Sequence, residues 1–158
     1  MKSIKSLSLV IVAAVFAFLA LSCTKEESAM KKLSGSWYMS ELNLEISSSI
    51  IPNATSSYTM HYSKEDTKAI FAFGADGTLT GQLNEDGTEM ESVIAKWSAD
   101  GNVISITYED ETVTVPYNFS GDRLYIDVAA VMNENLIDED MTSMGMKVDK
   151  AQLIFDRY

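Results

Sequence analysis

The feature that most constrains the fold of this chain is an alternation of apolar and polar residues in short runs. In the run 112–119 every second residue is apolar: Val113, Val115, Tyr117 and Phe119. The runs 67–73, 102–108 and 123–128 alternate in the same way. A period of two places successive side chains on opposite faces of an extended backbone. These runs therefore predict half-buried antiparallel strands.

Turn residues separate the runs. Asp76-Gly77, Asp100-Gly101 and Gly121-Asp122 each lie between two apolar stretches. Asp and Gly tolerate positive φ angles, so an Asp-Gly pair between alternating runs is a strong signal of a β-hairpin. Runs and turns together predict eight strands, at residues 36–46, 67–74, 78–83, 91–98, 102–108, 112–119, 123–129 and 151–157. Their spacing predicts an all-β domain, either a sandwich or a barrel of antiparallel neighbours.

Two longer stretches lack this pattern. Residues 47–66 are rich in serine and leave room for a ninth short strand around Tyr58–Tyr62. Residues 131–150 are acidic and contain four of the nine methionines. A stretch of about twenty residues without a clear period is typical of a functional loop, a short helix or local disorder.

The N-terminus has the pattern of a targeting signal. Lys2 and Lys5 precede an unbroken apolar run of 13 residues, Leu9–Leu21. At about 1.5 Å per residue the run spans roughly 20 Å, which is less than the roughly 30 Å hydrocarbon core of a membrane. We therefore interpret residues 1–22 as a signal peptide rather than a transmembrane anchor.

The only cysteine of the chain follows that apolar run. The sequence Leu19-Ala20-Leu21-Ser22-Cys23 resembles the lipobox of bacterial lipoproteins. The resemblance implies cleavage before Cys23 and attachment of a diacylglycerol to its thiol. Two or more acyl chains give stable anchoring, because each buried CH₂ contributes about 0.8 kcal/mol.

A short charged segment follows the cysteine. Lys25, Glu26 and Glu27 resemble the surface-export signal of Bacteroidota-type lipoproteins, and a solvated linker is the alternative interpretation. The resemblance implies an outer-membrane protein that faces outward. Residues 23–32 are then the lipidated cysteine and its tether, and residues 33–158 are the folded domain.

Composition excludes several classes of function. Twelve basic and 23 acidic residues give a net charge of −11, and loss of residues 1–22 with their two lysines makes it −13. Nucleic-acid binding depends on Lys and Arg that neutralise phosphates, so we expect no nucleic-acid partner. One Cys and one His, His61, exclude a disulfide framework and any site that needs two of either. We expect no enzyme activity, no metal and no cofactor.

Five local patterns follow one another along residues 33–157. They are Gly35-x-Trp37, Phe71-x-Phe73 with Asp76-Gly77-Thr78, Trp97 with Asp100-Gly101-Asn102, Gly121-Asp122-Arg123-Leu124, and Leu153-x-Phe155-x-Arg157. In this order they resemble the lipocalin superfamily, specifically the small lipocalin-like domains of bacterial lipoproteins. The resemblance implies an eight-stranded antiparallel up-and-down barrel of the calycin type. It also implies a structural clasp of Trp37 and Arg157 under the barrel, and an Arg over an indole face is a favourable cation–π pair.

Two functions remain open at this point. In the first, the barrel binds a small apolar ligand, and its inward aromatic side chains line the pocket: Phe71, Phe73, Trp97, Tyr117 and Phe119. Core filling is the alternative role for each of them. In the second, a filled barrel serves as a protein- or glycan-interaction module through residues 47–66 and 131–150, because Met-rich loops make adaptable contact surfaces. In both, the lipid anchor makes the membrane a partner.

Overall fold

The computed structural model describes residues 28–51, 53–83, 91–135, 137 and 139–158. This part of the chain contains nine strands and three short helical segments. In chain order they are α1 (28–33), β1 (Gly35–Ser48), β2 (Thr55–His61), β3 (Ala69–Phe73), β4 (Thr78–Leu83), β5 (Glu91–Asp100), β6 (Val103–Tyr108), β7 (Glu111–Ser120), β8 (Arg123–Asp127), α2 (Ala129–Asn135), α3 (Glu139–Ser143) and β9 (Met146–Arg157).

Eight of the strands form a closed antiparallel barrel. Strands β1 and β3 to β9 are hydrogen-bonded in the order of the chain, and pairing of β1 with β9 closes the ring. Consecutive antiparallel neighbours of this kind define an up-and-down barrel. The predicted all-β, eight-stranded antiparallel barrel is confirmed, and the sandwich is excluded.

Strand β2 lies outside this ring. It pairs with the C-terminal half of β1, from Glu41↔His61 to Ser47↔Thr55. On the other side of β1, strand β9 continues past the residues that pair with β8. These parts of β1, β2 and β9 form a three-stranded extension beyond the barrel. The ninth strand predicted around Tyr58–Tyr62 is confirmed, at Thr55–His61.

Two β-bulges explain where the predicted strand ends differ from the observed ones. In β9, Glu45 pairs with Lys150 but Ile46 pairs with Val148, so Asp149 is an extra residue. A bulge shifts the phase of inward and outward side chains. For this reason the alternation predicts a last strand at 151–157, whereas β9 begins at Met146. Ser40 is the extra residue of a second bulge, in β1.

The folded domain begins before the predicted boundary at residue 33. Ala29 and Leu33 lie one helical turn apart in α1, so both face the barrel, and both belong to its buried core. Residues 28–32, which the sequence assigns to the tether, are thus part of the packed domain. The segment is too short and too rich in lysine for its apolar face to be recognised as a helix signal.

The two ends of the barrel are built differently. The turns at Asp76-Gly77, Gly101-Asn102 and Gly121-Asp122 lie at the end where β1 begins and β9 ends. We call this end the floor, and we call the opposite end, with the turn at 109–110, the mouth. Gly77 has φ +81°, and a Cβ there would lie 3.3 Å from the Trp97 carbonyl oxygen. A larger residue at this floor turn would therefore be strained.

Pro116 pairs with Val103 of β6 but lies beyond the end of the β7–β8 pairing. The backbone N–H of Tyr117 donates to the Asn102 carbonyl on the β6 side, so the nitrogen of Pro116 faces the β8 side. The β7–β8 pairing ends at Tyr117↔Ile126. The missing N–H of proline therefore removes no ladder hydrogen bond.

Candidate functional site

The floor is closed by α1 and by the C-terminal end of β9. The Cζ atom of Arg157 lies 3.8 Å from the centroid of the Trp37 ring. The guanidinium also donates to two carbonyl oxygens of the α1 region, Nη1 to Ser34 at 2.7 Å and Nη2 to Lys32 at 2.6 Å. Trp37 Nε1 donates to the Leu33 carbonyl at 2.7 Å. These contacts join the first strand, the last strand and α1.

Gly35 gives the Gly-x-Trp pattern a physical reason. A Cβ at this position would lie 2.5 Å from Nη1 of Arg157. Only a residue without a side chain lets the guanidinium lie against the backbone here, and φ of +119° adds a second requirement for glycine. The arrangement over Trp37 therefore depends on Gly35.

The five aromatic residues predicted to line a ligand pocket lie mostly in the packed half of the barrel near the floor. Phe73 and Trp97 are 3% and 4% exposed, and their ring centroids are 4.9 Å apart in an edge-to-face contact. Phe71 is half-buried and contacts Phe73 and Phe155. Such contacts are those of core packing.

Tyr117 and Phe119 form a second aromatic group. Their rings meet edge to face at 5.8 Å, and Phe119 also contacts Trp37 at 5.9 Å. The Tyr117 hydroxyl donates to the Gly101 carbonyl at 3.0 Å, and burial raises the pKa of this hydroxyl. Their role in ligand binding stays a prediction: near the floor the two rings pack against each other, and both residues line a crevice of about 400 Å³ beside α1.

Part of the inner face of the barrel is exposed to solvent at the mouth. Ile106 pairs with buried Trp97 and with Val113, and residues that pair directly share a face of the sheet. Val113 and Tyr108 are nevertheless 42% and 47% exposed. We call the half-buried or exposed apolar residues of this inner face the mouth lining: Leu42, Val93, Ile106, Tyr108, Val113 and Leu153. Inward side chains are thus packed near the floor, whereas Val113 and Tyr108 remain partly exposed at the mouth.

A separate apolar groove lies at the end of the three-stranded extension. It has a volume of about 240 Å³. Its walls come from the β1–β2 hairpin, mainly Ile46, Ile51 and Tyr58. Met144, just before β9, and Met146, the first residue of β9, complete them. We call it the tip groove. Ile46 ends the predicted first strand, and the other residues named here belong to 47–66 and 131–150, the two stretches that the second candidate function uses as interaction loops.

Charged side chains on the outer wall support the point where the extension leaves the barrel. Arg123 Nε donates to Asp156 Oδ1 at 2.8 Å, and Nη2 donates to Ser40 Oγ at 3.1 Å. The hydrogen bond to Asp156 raises the pKa of Arg123. The single histidine, His61, is exposed, and its Nδ1 lies 3.4 Å from Glu41 Oε2. These groups hold strands together around the bulge at Ser40.

Other predicted site residues lie outside the described part of the chain. They are Cys23, the lipidation site, and Lys25, Glu26 and Glu27, the export signal. Within the described residues, no helix has the length and apolar character needed to cross a membrane. Among those same residues, no group of three or more His, Cys, Asp or Glu side chains is placed to hold a metal ion.

The solved structures that match this chain include two of low sequence identity. No protein-family model and no curated protein sequence matches the chain. The chain is similar to a lipocalin-like protein from Bacteroides uniformis ATCC 8492, at 12% identity and a TM-score of 0.45 over 80% of this chain and 99% of that one. It is also similar to an uncharacterized protein from Bacteroides eggerthii DSM 20697, at 13% identity and a TM-score of 0.35 over 79% and 98% of the two chains. At these TM-scores neither likeness bears on function, and the barrel rests on the strand pairing described above.

Proposed function

We propose that this chain is a non-catalytic lipoprotein of the outer-membrane surface, with a lipocalin-like domain that binds a small apolar ligand at the barrel mouth. The observation that carries the proposal is the contrast between the two ends of one inner face. Near the floor, Trp37, Phe73 and Leu124 are almost completely buried, whereas Tyr108 and Val113 at the mouth remain accessible. A ligand that covers such surface gains roughly 25 cal/mol for each Å² of apolar area removed from water.

The negative charge at the mouth restricts which apolar molecules we expect to bind there. The turn beside Tyr108 is formed by Glu109 and Asp110 and is followed by Glu111, and all three are exposed. The chain as a whole carries a net charge of −11. A rim of this sign repels carboxylates and attracts cations. We therefore propose an uncharged or basic apolar molecule rather than a fatty acid.

The position of α1 supports a definite orientation on the membrane. Cys23 precedes residue 28 by five residues, which span at most about 17 Å when extended. Residues 28–33 lie at the floor, where Arg157 donates to Lys32 and Ser34. A lipid on Cys23 would therefore hold the floor near the membrane and direct the mouth away from it. The negative net charge keeps the domain from adhering to anionic lipids.

Fluorescence titration tests the ligand site. Lipid-free protein that begins at residue 24 is titrated with Nile red, an uncharged apolar dye. We expect saturable binding that Val113→Lys weakens by about tenfold or more, because the substitution places a charge in the mouth lining. The matched control is Ile94→Lys, since Ile94 is 69% exposed and its neighbour Ala95 faces the core. Equal binding by wild type and Val113→Lys, or no binding, would remove the mouth as a ligand site.

Mass spectrometry and protease accessibility test the anchor. The full-length chain is expressed in a bacterium that exports lipoproteins to its surface. We expect a mass that shows loss of residues 1–22 and acylation of Cys23, and release of the Cys23→Ser variant from membranes. Replacement of Lys25, Glu26 and Glu27 by alanine should keep the acylation but protect the protein from protease added to whole cells. A bare thiol or an intact leader contradicts the anchor.

A further inference from the structure

The outer edge of β2 is long and unprotected. β2 pairs with β1 in an unbroken register from Glu41↔His61 to Ser47↔Thr55, and within the described chain no strand pairs with its other edge. All its residues are exposed. Proteins usually protect such edges with lysine, proline, a bulge or a covering segment, because a free edge is a template for another strand. The β2 sequence TSSYTMH contains no lysine or proline.

The corresponding edge of β9, on the other side of the extension, is covered. Beyond its pairing with β8, β9 is covered by the segment that contains α2. Asn133 Nδ2 donates to the Val148 carbonyl at 2.8 Å, and its Oδ1 accepts from the Val148 N–H at 2.9 Å. The Val128 N–H donates to the Ala151 carbonyl at 2.9 Å. The fold therefore covers one edge of the extension and leaves the other open.

The direction of the backbone groups on the open edge follows from the hydrogen bonds at both ends of the hairpin. The N–H of Tyr62 donates to the Ser40 carbonyl, and the N–H of Ser48 donates to the Ala54 carbonyl. Residues that exchange hydrogen bonds alternate along an antiparallel pair. The N–H groups of Tyr58 and Met60 therefore point to β1, and those of Ser57 and Thr59 point outward.

The tip groove lies beside this edge. Tyr58 is one of its walls and pairs with Leu44, and Met60 on the same face pairs with Leu42. Tyr58, Ile51 and Met144 are 53%, 60% and 52% exposed. Contiguous exposed apolar surface is a feature of interaction sites. A single bound molecule could therefore pair with the β2 edge and fill the tip groove.

We propose that β2 is a docking strand, to which an extended segment of a partner polypeptide adds as a further strand and places alternate apolar side chains in the tip groove. Only a polypeptide backbone supplies the matching row of hydrogen-bond donors and acceptors. In an added strand every second side chain would face the side of the sheet on which the tip groove lies. β2 has no Asp, Glu, Lys or Arg, and the chain is acidic. The segment is therefore neutral or basic, because an acidic one would be repelled.

A second copy of this chain fits the edge less well. Antiparallel pairing of two β2 strands would point the two barrels in opposite directions, so their floors would lie at opposite ends of the pair. That arrangement is incompatible with two copies anchored by their floors to one membrane surface. This step rests on the anchor proposed above, whereas the docking strand itself is independent of the ligand at the mouth.

Peptide selection on the full-length, detergent-solubilised protein tests the docking strand. A phage-displayed library of random peptides is selected against wild type and against Ser57→Pro, which removes an outward N–H without removing a β1–β2 hydrogen bond. Ser57→Ala is the matched control, and circular dichroism checks the fold of each variant. We expect enriched peptides with alternating apolar residues and few acidic ones, bound about tenfold or more weakly by Ser57→Pro and unchanged by Ser57→Ala.

A backbone-modified peptide keeps the test valid if Ser57→Pro fails to fold. The enriched peptide is synthesised with N-methyl groups on alternate residues, which remove main-chain donors and leave the side chains unchanged. Alternate residues form two sets, and each set is methylated in a separate peptide. We expect one of the two peptides to bind wild type about tenfold or more weakly. Absence of enriched peptides, or binding that N-methylation of either set does not weaken, overturns the proposal. A wild-type dimer in light scattering that Ser57→Pro converts to monomer overturns it in favour of a second copy.

Discussion

Replacement of Arg157 by methionine tests how strongly the floor contacts stabilise the barrel. Methionine keeps an unbranched apolar stem but removes the guanidinium. The change removes two charged donors, to the carbonyls of Ser34 and Lys32, and the contact over the ring of Trp37. In their absence the last strand, the first strand and α1 are joined by fewer contacts at the closed end.

The magnitude follows from the exposure of the side chain. A hydrogen bond from a charged group contributes about 1.5–3 kcal/mol in favourable settings, and a cation–π pair about 0.5–1 kcal/mol at exposed sites. Arg157 is exposed, so water replaces part of what is lost. We expect Arg157→Met to lower the free energy of unfolding by about 2 kcal/mol. Arg157→Lys should lose about half of that, because an ammonium lacks the planar fork that reaches two carbonyls while it lies over the ring.

Urea unfolding followed by circular dichroism measures the difference. The control is Lys147→Met, which removes an exposed ion pair with Asp149, 3.4 Å from Nζ to Oδ1, and should cost less than about 0.5 kcal/mol. An Arg157→Met variant as stable as Lys147→Met would refute the reasoning. The floor would then be held by the apolar contacts of α1 rather than by Arg157.

Three further predictions address other parts of the fold. Leu33→Ala should lower the free energy of unfolding by about 2–5 kcal/mol in urea denaturation, because Leu33 is fully buried; a loss below about 0.5 kcal/mol would make α1 part of the tether. Asn133→Ala should speed amide hydrogen exchange at Val148, since it removes the side chain that covers that edge of β9, and unchanged exchange would show that the edge is protected otherwise. Hydrogen bonds from Thr78, first from its backbone N–H, lower the pKa of Asp76. The resulting stabilisation is present above the unfolded value of about 3.9 and is lost as pH falls through the lower folded value. Asp76→Asn should therefore show a shallower acid-induced loss of stability than wild type in urea titrations below about pH 5, and identical acid dependence would contradict that role.

Much of the barrel was predictable because strand, turn and core signals agree along β3 to β8. The alternation through Ile104 and Ile106 and through Val113 and Val115 identifies the inward face of the β6–β7 hairpin. The pattern fails where a bulge adds a residue, as at Asp149, because the side chains then change phase. It also fails for α1, since a segment this short has too few apolar residues to show a helical period.

The candidate site was harder to predict. The alternation shows which side chains point into the barrel, but not whether they lie near the floor or near the mouth. Tyr117 and Phe119 are as clearly inward as Val113, yet they lie near the floor turn at Gly121 and are packed against other rings. Val113 lies near the turn at residues 109–110 and is open. The distance of an inward residue from each set of turns carries this information. Strand register, which only the folded chain supplies, decides which residues meet across the mouth.

Methyl NMR spectroscopy of the lipid-free protein during titration with an uncharged apolar molecule tests the central claim most directly. An interior that is closed at the floor and open at the mouth predicts saturable shifts at the methyl groups of Leu42, Ile106 and Val113. It predicts unchanged signals for Ile104 and Leu124, which are fully buried. Shifts confined to the floor residues, or no saturable shift at the mouth lining, would contradict the claim.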